Sequence, residues 1–372
     1  MGITLLLFTL LGAGIPGSNE YFSAGEALRQ GKYADALKGF SVCAAEVGPL
    51  RPYARAQMAA CRAGAGDARG ALEDYEAVLR EFPEGPWVKM IQAELAEIYS
   101  RTGDSANAAK WYEAVLERRF RSWWLQRLEW TASERFAANP ATASRGYAFF
   151  RQALEDPAYR GRRYDAAEML SKSSDVNDLW LAADALVRFG AIKTAAPVVE
   201  ALAPQAMLSP DARARWLYLE GRVLLGQKNG DEGRALLLRV VQEYKGSVWA
   251  AKSLYQLFRN AKAEEVDAVL GRLLAEYPGS EEAGDALWWR AEQFREKEEH
   301  TSATVEYLRL ATLFPSHEKA ADALLIAGDL LRERQKPAEA LDTFQRLVTQ
   351  YPNARGRSEA AYWSGRLEEK SV

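Results

Sequence analysis

The sequence is poor in the residues that most catalytic and metal sites need. Its 372 residues include only two histidines, His300 and His317, and two cysteines, Cys43 and Cys61. A metal site needs several such ligands close together, and no further ligand clusters with either histidine. The Walker A loop, the histidine-glutamate zinc motif and the nucleophile elbow are missing as well. We therefore expect a protein that is not an enzyme and that uses neither a metal ion nor an organic cofactor.

Long apolar runs and strand patterns are also scarce. The longest apolar run extends over residues 3–15, whereas a membrane-spanning helix needs about 20 apolar residues. No segment alternates polar and apolar residues between turn signals, so the sequence predicts helices rather than strands. The net charge of −3 gives no general attraction to nucleic acid. The chain is thus expected neither to span a membrane nor to bind nucleic acid.

The N-terminal apolar run has the length of a secretory signal. The first charged residue is Glu20, and small residues follow the apolar segment. A signal core of about 7 to 15 apolar residues that is followed by small residues directs export. We interpret residues 1–18 as a signal peptide, which predicts a periplasmic or secreted protein. In an exported chain, Cys43 and Cys61 either form a disulfide or remain two buried thiols.

What the sequence does contain is a repeat of 37 residues. An aromatic residue followed by proline recurs at this spacing and closes three segments patterned as amphipathic helical hairpins: Tyr277-Pro278, Phe314-Pro315 and Tyr351-Pro352. Before the last proline stand three residues that would let two antiparallel helices approach closely: Gly328, Ala340 and Phe344. Weaker copies of the pattern extend it to nine units between about Tyr21 and Asn353.

This order of small residue, small residue, aromatic residue and proline resembles the tetratricopeptide repeat family. The resemblance implies an all-α fold, a solenoid of helical hairpins wound as a right-handed superhelix, with a concave groove that binds a protein or peptide partner. On this frame we divide the chain into N-terminal repeats over residues 19–155, an irregular helical insert or bend over 156–175, and C-terminal repeats over 176–372 that end in an incomplete unit.

The C-terminal half resembles a narrower group of proteins. Segments such as 273–280 and 347–354 are similar to those of bacterial envelope repeat proteins, namely outer-membrane-assembly lipoproteins and the periplasmic cell-division coordinator. The run from Tyr362 to Arg366 is similar to the helical scaffold of soluble lytic transglycosylases. The first resemblance implies a non-catalytic scaffold for protein interactions in the cell envelope. The second implies the helical region of a peptidoglycan-processing enzyme that lacks its lysozyme-like domain in this chain, and so an association with peptidoglycan.

The family frame also nominates the groove residues, because the first helix of each tetratricopeptide unit lines the concave side. The fifth position of successive first helices holds mostly aromatic residues: Trp180, Tyr218, Trp288, Leu325 and Tyr362. The ninth position holds mainly charged residues: Asp184, Arg222, Tyr255, Glu292, Asp329 and Arg366. Aromatic anchors beside charged groups suit a protein or peptide partner. The alternative is that these aromatic rings fill the spaces between helices, with Trp289 or Trp363 facing the groove instead.

Two short basic clusters interrupt this pattern. They are residues 118–121, which precede Trp123 and Trp124, and residues 160–163. Arginines interleaved with aromatic rings can bind an anionic polymer or stack on planar groups. The alternative is that the arginines cover solvated helix ends and that the tryptophans belong to the core.

Overall fold

The computed structural model of the chain describes residues 18–46, 48–116 and 123–371. These residues form twenty α-helices and two short 3-10 helices, and none of them lies in a strand. The all-α prediction is therefore confirmed. The apolar segment of the predicted signal peptide and the basic cluster at 118–121 lie outside the described residues.

The chain divides into two compact units, residues 1–182 and 183–372. The helices that begin in the first unit are α1 (Ser18–Arg29), α2 (Tyr33–Ala45), α3 (Arg51–Gly64), α4 (Ala68–Glu81), α5 (Trp87–Arg101), α6 (Ser105–Leu116), α7 (Trp123–Ala138), α8 (Ala143–Glu155), η1 (Pro157–Arg162), α9 (Arg163–Leu170) and α10 (Val176–Arg188), which runs across the boundary.

The helices of the second unit are α11 (Ile192–Ala201), η2 (Gln205–Met207), α12 (Pro210–Gly226), α13 (Gly230–Glu243), α14 (Val248–Arg259), α15 (Val266–Glu276), α16 (Glu281–Glu296), α17 (His300–Leu313), α18 (Ala320–Glu333), α19 (Pro337–Gln350) and α20 (Arg357–Ser371). Consecutive helices pack as antiparallel hairpins, for example α12 with α13, α16 with α17 and α18 with α19. The predicted helical-hairpin repeats are thus present in the structure.

Glycine and aspartate set the turns within the hairpins of the first unit. Gly66 and Gly103 adopt φ angles of +90° and +84°, a left-handed conformation that ends the first helix without a Cβ clash. Asp67 then accepts a hydrogen bond from the Gly70 backbone N–H at 2.9 Å and caps the second helix. Asp104 acts in the same way at the start of α6. These local signals fix where each hairpin turns.

The repeated small and aromatic residues form the contacts inside each hairpin. Ala340 and Phe344 of α19 are fully buried. A Cβ atom placed on Gly328 of α18 would lie only 2.4 Å from Cε1 of the Phe344 ring. Ala303 and Tyr307 of α17 are fully buried at the corresponding positions. The residues that define the sequence repeat are therefore those that let paired helices approach.

The stretch after α8 departs from the hairpin pattern. Asp156 ends α8, and its carboxylate accepts a hydrogen bond from the Ala158 N–H at 2.8 Å, which starts η1. Tyr159 of η1 is buried, and its hydroxyl donates a hydrogen bond to the buried carboxylate of Glu129 on α7. These two residues attach η1 to α7.

The described residues also bear on two further predictions, which concern the state of the two cysteines and membrane-spanning helices. Cys43 and Cys61 are both buried as thiols, the second of the two alternatives left open by the sequence. Burial raises the pKa of the Cys61 thiol to about 11. Among the helices that the structure describes, none is both long enough and apolar enough to cross a membrane.

Candidate functional site

The eleven predicted groove residues all lie on the first helices of the hairpins, α10, α12, α14, α16, α18 and α20. Trp180 belongs to the first unit and the other ten to the second. Their exposure differs widely, because Trp180 and Tyr218 are each 8% exposed whereas Tyr362 is 59% exposed. The aromatic row is therefore partly core and partly surface.

Tyr218 and Arg222 lie one helical turn apart on α12. The Arg222 guanidinium donates one hydrogen bond to the Tyr218 hydroxyl at 3.1 Å and another to the Val187 carbonyl at 3.3 Å. The Trp249 ring lies 5.7 Å from the Tyr218 ring. Both acceptors of Arg222 are neutral, so its charge is held in place without being neutralised.

The negative charge of Asp184 is paired with a cationic side chain on a neighbouring helix. Its carboxylate forms an ion pair with Arg215 of α12. The Arg215 guanidinium lies 5.5 Å from the Trp249 ring centre, and the Lys252 ammonium lies 5.0 Å from the same centre. The Trp249 indole N–H donates a hydrogen bond to Asp211 at 3.0 Å. Trp249 is thus a largely buried ring with two cations beside it, and the carboxylate of Asp184 already has a cationic partner.

Tyr255 is half-buried between cationic side chains. Burial raises the pKa of its hydroxyl and the Asp285 carboxylate raises it further, while Arg259 and Arg222 act in the opposite direction. Both guanidinium groups therefore lie close enough to influence the same hydroxyl. Arg259 lies 5.8 Å from the ring centre of Trp289 on the next first helix.

Trp288 and Glu292 both contact Tyr307 of their own hairpin, and Trp288 also contacts the residue before the next first helix. The Trp288 ring lies 5.4 Å from the ring of Tyr307 on α17. Glu292 accepts hydrogen bonds from the Tyr307 hydroxyl and from Arg295. Lys319 lies 5.8 Å from the Trp288 ring centre. Trp288 is half-buried and contacts both Tyr307 of its own hairpin and Lys319 before α18.

The last two first helices repeat the pairing of cation and tryptophan. Asp329 forms an ion pair with Arg332 at 3.2 Å, and the Arg332 guanidinium lies 4.1 Å from the Trp363 ring centre. Tyr362 is exposed beside Trp363, with the two ring centres 5.2 Å apart. Arg366 is exposed one turn further along α20.

A regular contact emerges that the sequence frame did not identify. An arginine of one first helix lies over a tryptophan of the next in three places of the second unit: Arg215 over Trp249, Arg259 over Trp289, and Arg332 over Trp363. Each contact places a cation within cation–π range of an aromatic ring. The sequence contains one signal for this contact, namely adjacent aromatic residues in the first helices: Trp288 with Trp289, and Tyr362 with Trp363. We call this surface, on α12, α14, α16, α18 and α20, the first-helix face.

The centre of the first-helix face holds three cations without an ion pair in the part of the chain that the structure describes, although the Glu282 carboxylate acts electrostatically on one of them, Lys252. Among the described residues, no carboxylate forms an ion pair with Arg222, Lys252 or Arg259, and tyrosine and tryptophan rings lie beside all three. The nearby Asp285 carboxylate is held by Lys319 at 2.7 Å. Guanidinium groups in this setting can donate charge-assisted hydrogen bonds to carboxylates. Across the described residues, no group of three or more His, Cys, Asp and Glu side chains could hold a metal ion.

Comparison with protein families places two segments in one family. Residues 62–121 and residues 322–354 each match a family model described as tetratricopeptide repeat. The first segment contains α4, α5 and α6, and the second contains most of α18 and all of α19. No curated protein matches the sequence.

Several solved structures resemble the chain at low identity. The tetratricopeptide domain of P58(IPK) is 15% identical over 96% of this chain and 99% of its own, with a TM-score of 0.28. Yeast Tom70 is 12% identical over 95% of this chain and 96% of its own, with a TM-score of 0.27. A human IFIT1 dimer with PPP-AAAA is 14% identical over 94% of this chain and 89% of its own, with a TM-score of 0.43. Residues 62–121 and 322–354 are therefore similar to tetratricopeptide repeats, and the described parts of both segments fold as the expected helical hairpins.

Proposed function

We propose that this protein is a scaffold that binds an acidic segment of a protein or peptide partner along the first-helix face of its second unit. Tetratricopeptide repeats support a role in protein interaction. The observation that carries the proposal is the cluster of Arg222, Lys252 and Arg259, which lies among aromatic rings and forms no ion pair with a carboxylate of the described residues. The partner would supply the missing carboxylates, and its apolar side chains would pack on the rings.

The contribution of each cation follows from ordinary magnitudes. A hydrogen bond between charged groups contributes about 1.5–3 kcal/mol, and a change of about 1.4 kcal/mol alters affinity tenfold. Arg222 is half-buried and Arg259 is exposed on neighbouring first helices, so we expect one extended segment to contact both. Removing the two arginines should therefore weaken binding by roughly a hundredfold.

We further propose that the scaffold works in the bacterial cell envelope, as a periplasmic or secreted protein. The apolar segment near the N-terminus and the similarity of the turns near Tyr277 and Tyr351 to those of envelope repeat proteins support this location. Expression of the full chain in a bacterium, followed by fractionation and mass measurement, tests it. A periplasmic product that lacks residues 1–18 is expected, whereas an uncleaved cytoplasmic product would contradict the proposal.

The binding function is tested with two double variants that change the net charge equally. Arg222→Ala with Arg259→Ala removes cations of the first-helix face, and Arg239→Ala with Arg272→Ala removes cations of the second helices α13 and α15. Arg239 and Arg272 are 42% and 45% exposed, and each contacts a glutamate one turn away. Both variants should keep the helical circular dichroism of the parent protein.

Immobilised proteins are then incubated with a bacterial envelope extract, and bound proteins are quantified by mass spectrometry. We expect the parent protein and the second-helix variant to retain the same partner, and the first-helix variant to lose it. Equal retention by all three proteins, with helicity intact, would refute the assignment of the first-helix face.

A further inference from the structure

A cleft in the first unit lies where η1 interrupts the series of hairpins. Its volume is about 580 Å³, which is within the range of about 300–1,000 Å³ typical of small-molecule sites. One wall is a face of α7 and the other is η1, and the lining includes Arg127, Trp130, Thr131, Glu134, Tyr159 and Arg162. The first-helix face proposed above belongs to the second unit, so this cleft is a different feature of the molecule.

The guanidinium of Arg162 is held rigidly in the cleft. Its central carbon lies 3.7 Å from the ring centre of Trp130, and its Nε lies 3.3 Å from a carboxylate oxygen of Asp165. Trp130 is 2% exposed and is packed edge-on against Phe150. Stacking fixes the plane of the guanidinium while its edge can still donate hydrogen bonds in that plane.

The carboxylates of the cleft are engaged, whereas one cation is not. Glu134 accepts a hydrogen bond from the Trp130 indole N–H at 2.8 Å, and the buried Glu129 behind the wall accepts one from the Tyr159 hydroxyl. Arg127 is exposed on the α7 wall, and no carboxylate of the described residues forms an ion pair with it. Arg127 and Arg162 are the cations that line the cleft; Arg162 is paired with Asp165, so Arg127 is the cation available to a ligand.

We propose that this cleft binds an oxyanion group of a small molecule between Arg127 and Arg162. A planar guanidinium with fixed orientation is suited to two parallel hydrogen bonds with a phosphate or a carboxylate. Thr131 provides a hydroxyl that can donate a third. The rest of the ligand would occupy the remaining volume beside Tyr159, whose own hydroxyl is held by Glu129.

Titration with two simple anions distinguishes a phosphorylated ligand from a carboxylated one. Inorganic phosphate is titrated into the full-length protein at constant ionic strength and its binding is followed by the ³¹P line width. Acetate labelled with ¹³C is titrated in the same way. We expect saturable binding of at least one anion. Tighter binding of phosphate indicates a phosphorylated ligand, and tighter binding of acetate indicates a carboxylated one.

Matched arginine variants locate the bound anion. Arg127→Ala should weaken binding by about tenfold, because it removes a charge-assisted hydrogen bond. Arg160→Ala removes the same charge from an exposed position of η1 that does not line the cleft, and it should change the affinity by less than about twofold, since only screened long-range attraction is lost. Arg162→Lys keeps the charge and loses the planar geometry, so it should also weaken binding.

Two results would overturn this site. One is the lack of saturable binding of either anion by the parent protein. The other is an equal loss of affinity in Arg127→Ala and Arg160→Ala, which would show general attraction to a positive surface. Circular dichroism and the melting temperature verify folding. Because Arg127 is exposed and forms no ion pair with any residue that the structure describes, its replacement should leave both unchanged.

Discussion

Replacing Gly328 with alanine perturbs the contact that underlies the whole repeat. The added methyl group would lie 2.4 Å from Cε1 and 2.7 Å from Cδ1 of the Phe344 ring. Phe344 is fully buried within the cluster of α18, α19 and α20, so its ring cannot move into solvent. The two helices of the hairpin would have to separate.

The expected loss of stability combines two opposing effects. Overpacking of a dense core costs about 1–3 kcal/mol. Alanine in place of glycine within a helix contributes about 1 kcal/mol in the favourable direction. We place the cost at the upper end because the overlap is severe, and we expect Gly328→Ala to lower the free energy of unfolding by about 1–2 kcal/mol.

Urea denaturation followed by circular dichroism, with amide hydrogen exchange of α18 and α19, measures this loss. Gly271→Ala is the matched control, since a Cβ atom at that position of α15 would meet nothing within 4 Å. The control should be stabilised by up to about 1 kcal/mol. Adding Phe344→Leu to Gly328→Ala should make the effects less than additive. Equal stabilisation by Gly328→Ala and Gly271→Ala would refute the close approach of the two helices.

Three further predictions concern other parts of the chain. Gly103→Ala should lower the free energy of unfolding by about 1–2 kcal/mol in thermal melts, because φ is +84° at that turn; Gly161→Ala, with an ordinary φ and no atom near its Cβ position, should not. Burial raises the pKa of Glu306 although Arg290 opposes it. The folded protein therefore holds this proton more tightly than the unfolded chain, and the contribution of Glu306 to stability falls as the pH rises above 4.5. Glu306→Gln should reduce that fall in melts recorded from pH 4.5 to 7.5, and an unchanged pH profile would contradict this. Cys61, with a pKa of about 11, should react with iodoacetamide at pH 8 only after unfolding, and rapid labelling of the native protein would show that the thiol is accessible.

The hairpins were predictable because their signals are local. Gly328 and Phe344 are sixteen residues apart, and their contact follows from helical periodicity and one short turn. The glycine turn at Gly103 likewise depends only on its own backbone conformation. Such features need no knowledge of how one hairpin packs on the next.

The site was only partly predictable, because its contacts join different hairpins and do not depend on local signals. Trp288 packs on Tyr307 inside its hairpin, while Trp289, one residue later, contacts Arg259 of the preceding first helix. A step of one residue turns a side chain by about 100° around a helix, so a small error in phase exchanges a contact within one hairpin for a contact with its neighbour. The pairing of Arg215 with Trp249 depends on the register between neighbouring hairpins, which the spacing of the repeat does not specify.

The cleft beside η1 lay beyond sequence reasoning as well. The repeat frame predicts an irregular insert or bend over residues 156–175, and residues 160–163 form a basic cluster in the sequence. Their partners on α7, Trp130 and Glu129, are about 30 residues away in the chain, and only the packing of Tyr159 brings them together. Long-range contacts of this kind leave no periodic signal in the sequence.

The central claim, that the first-helix face of the second unit binds the protein partner, is tested most directly by site-specific photo-crosslinking. A photoreactive phenylalanine replaces Tyr255 on α14 in one protein and Arg272 on α15 in another, and each is irradiated in a bacterial envelope extract. We expect a partner to be crosslinked through position 255 and not through position 272. Crosslinking of the same partner through position 272 alone would contradict the claim.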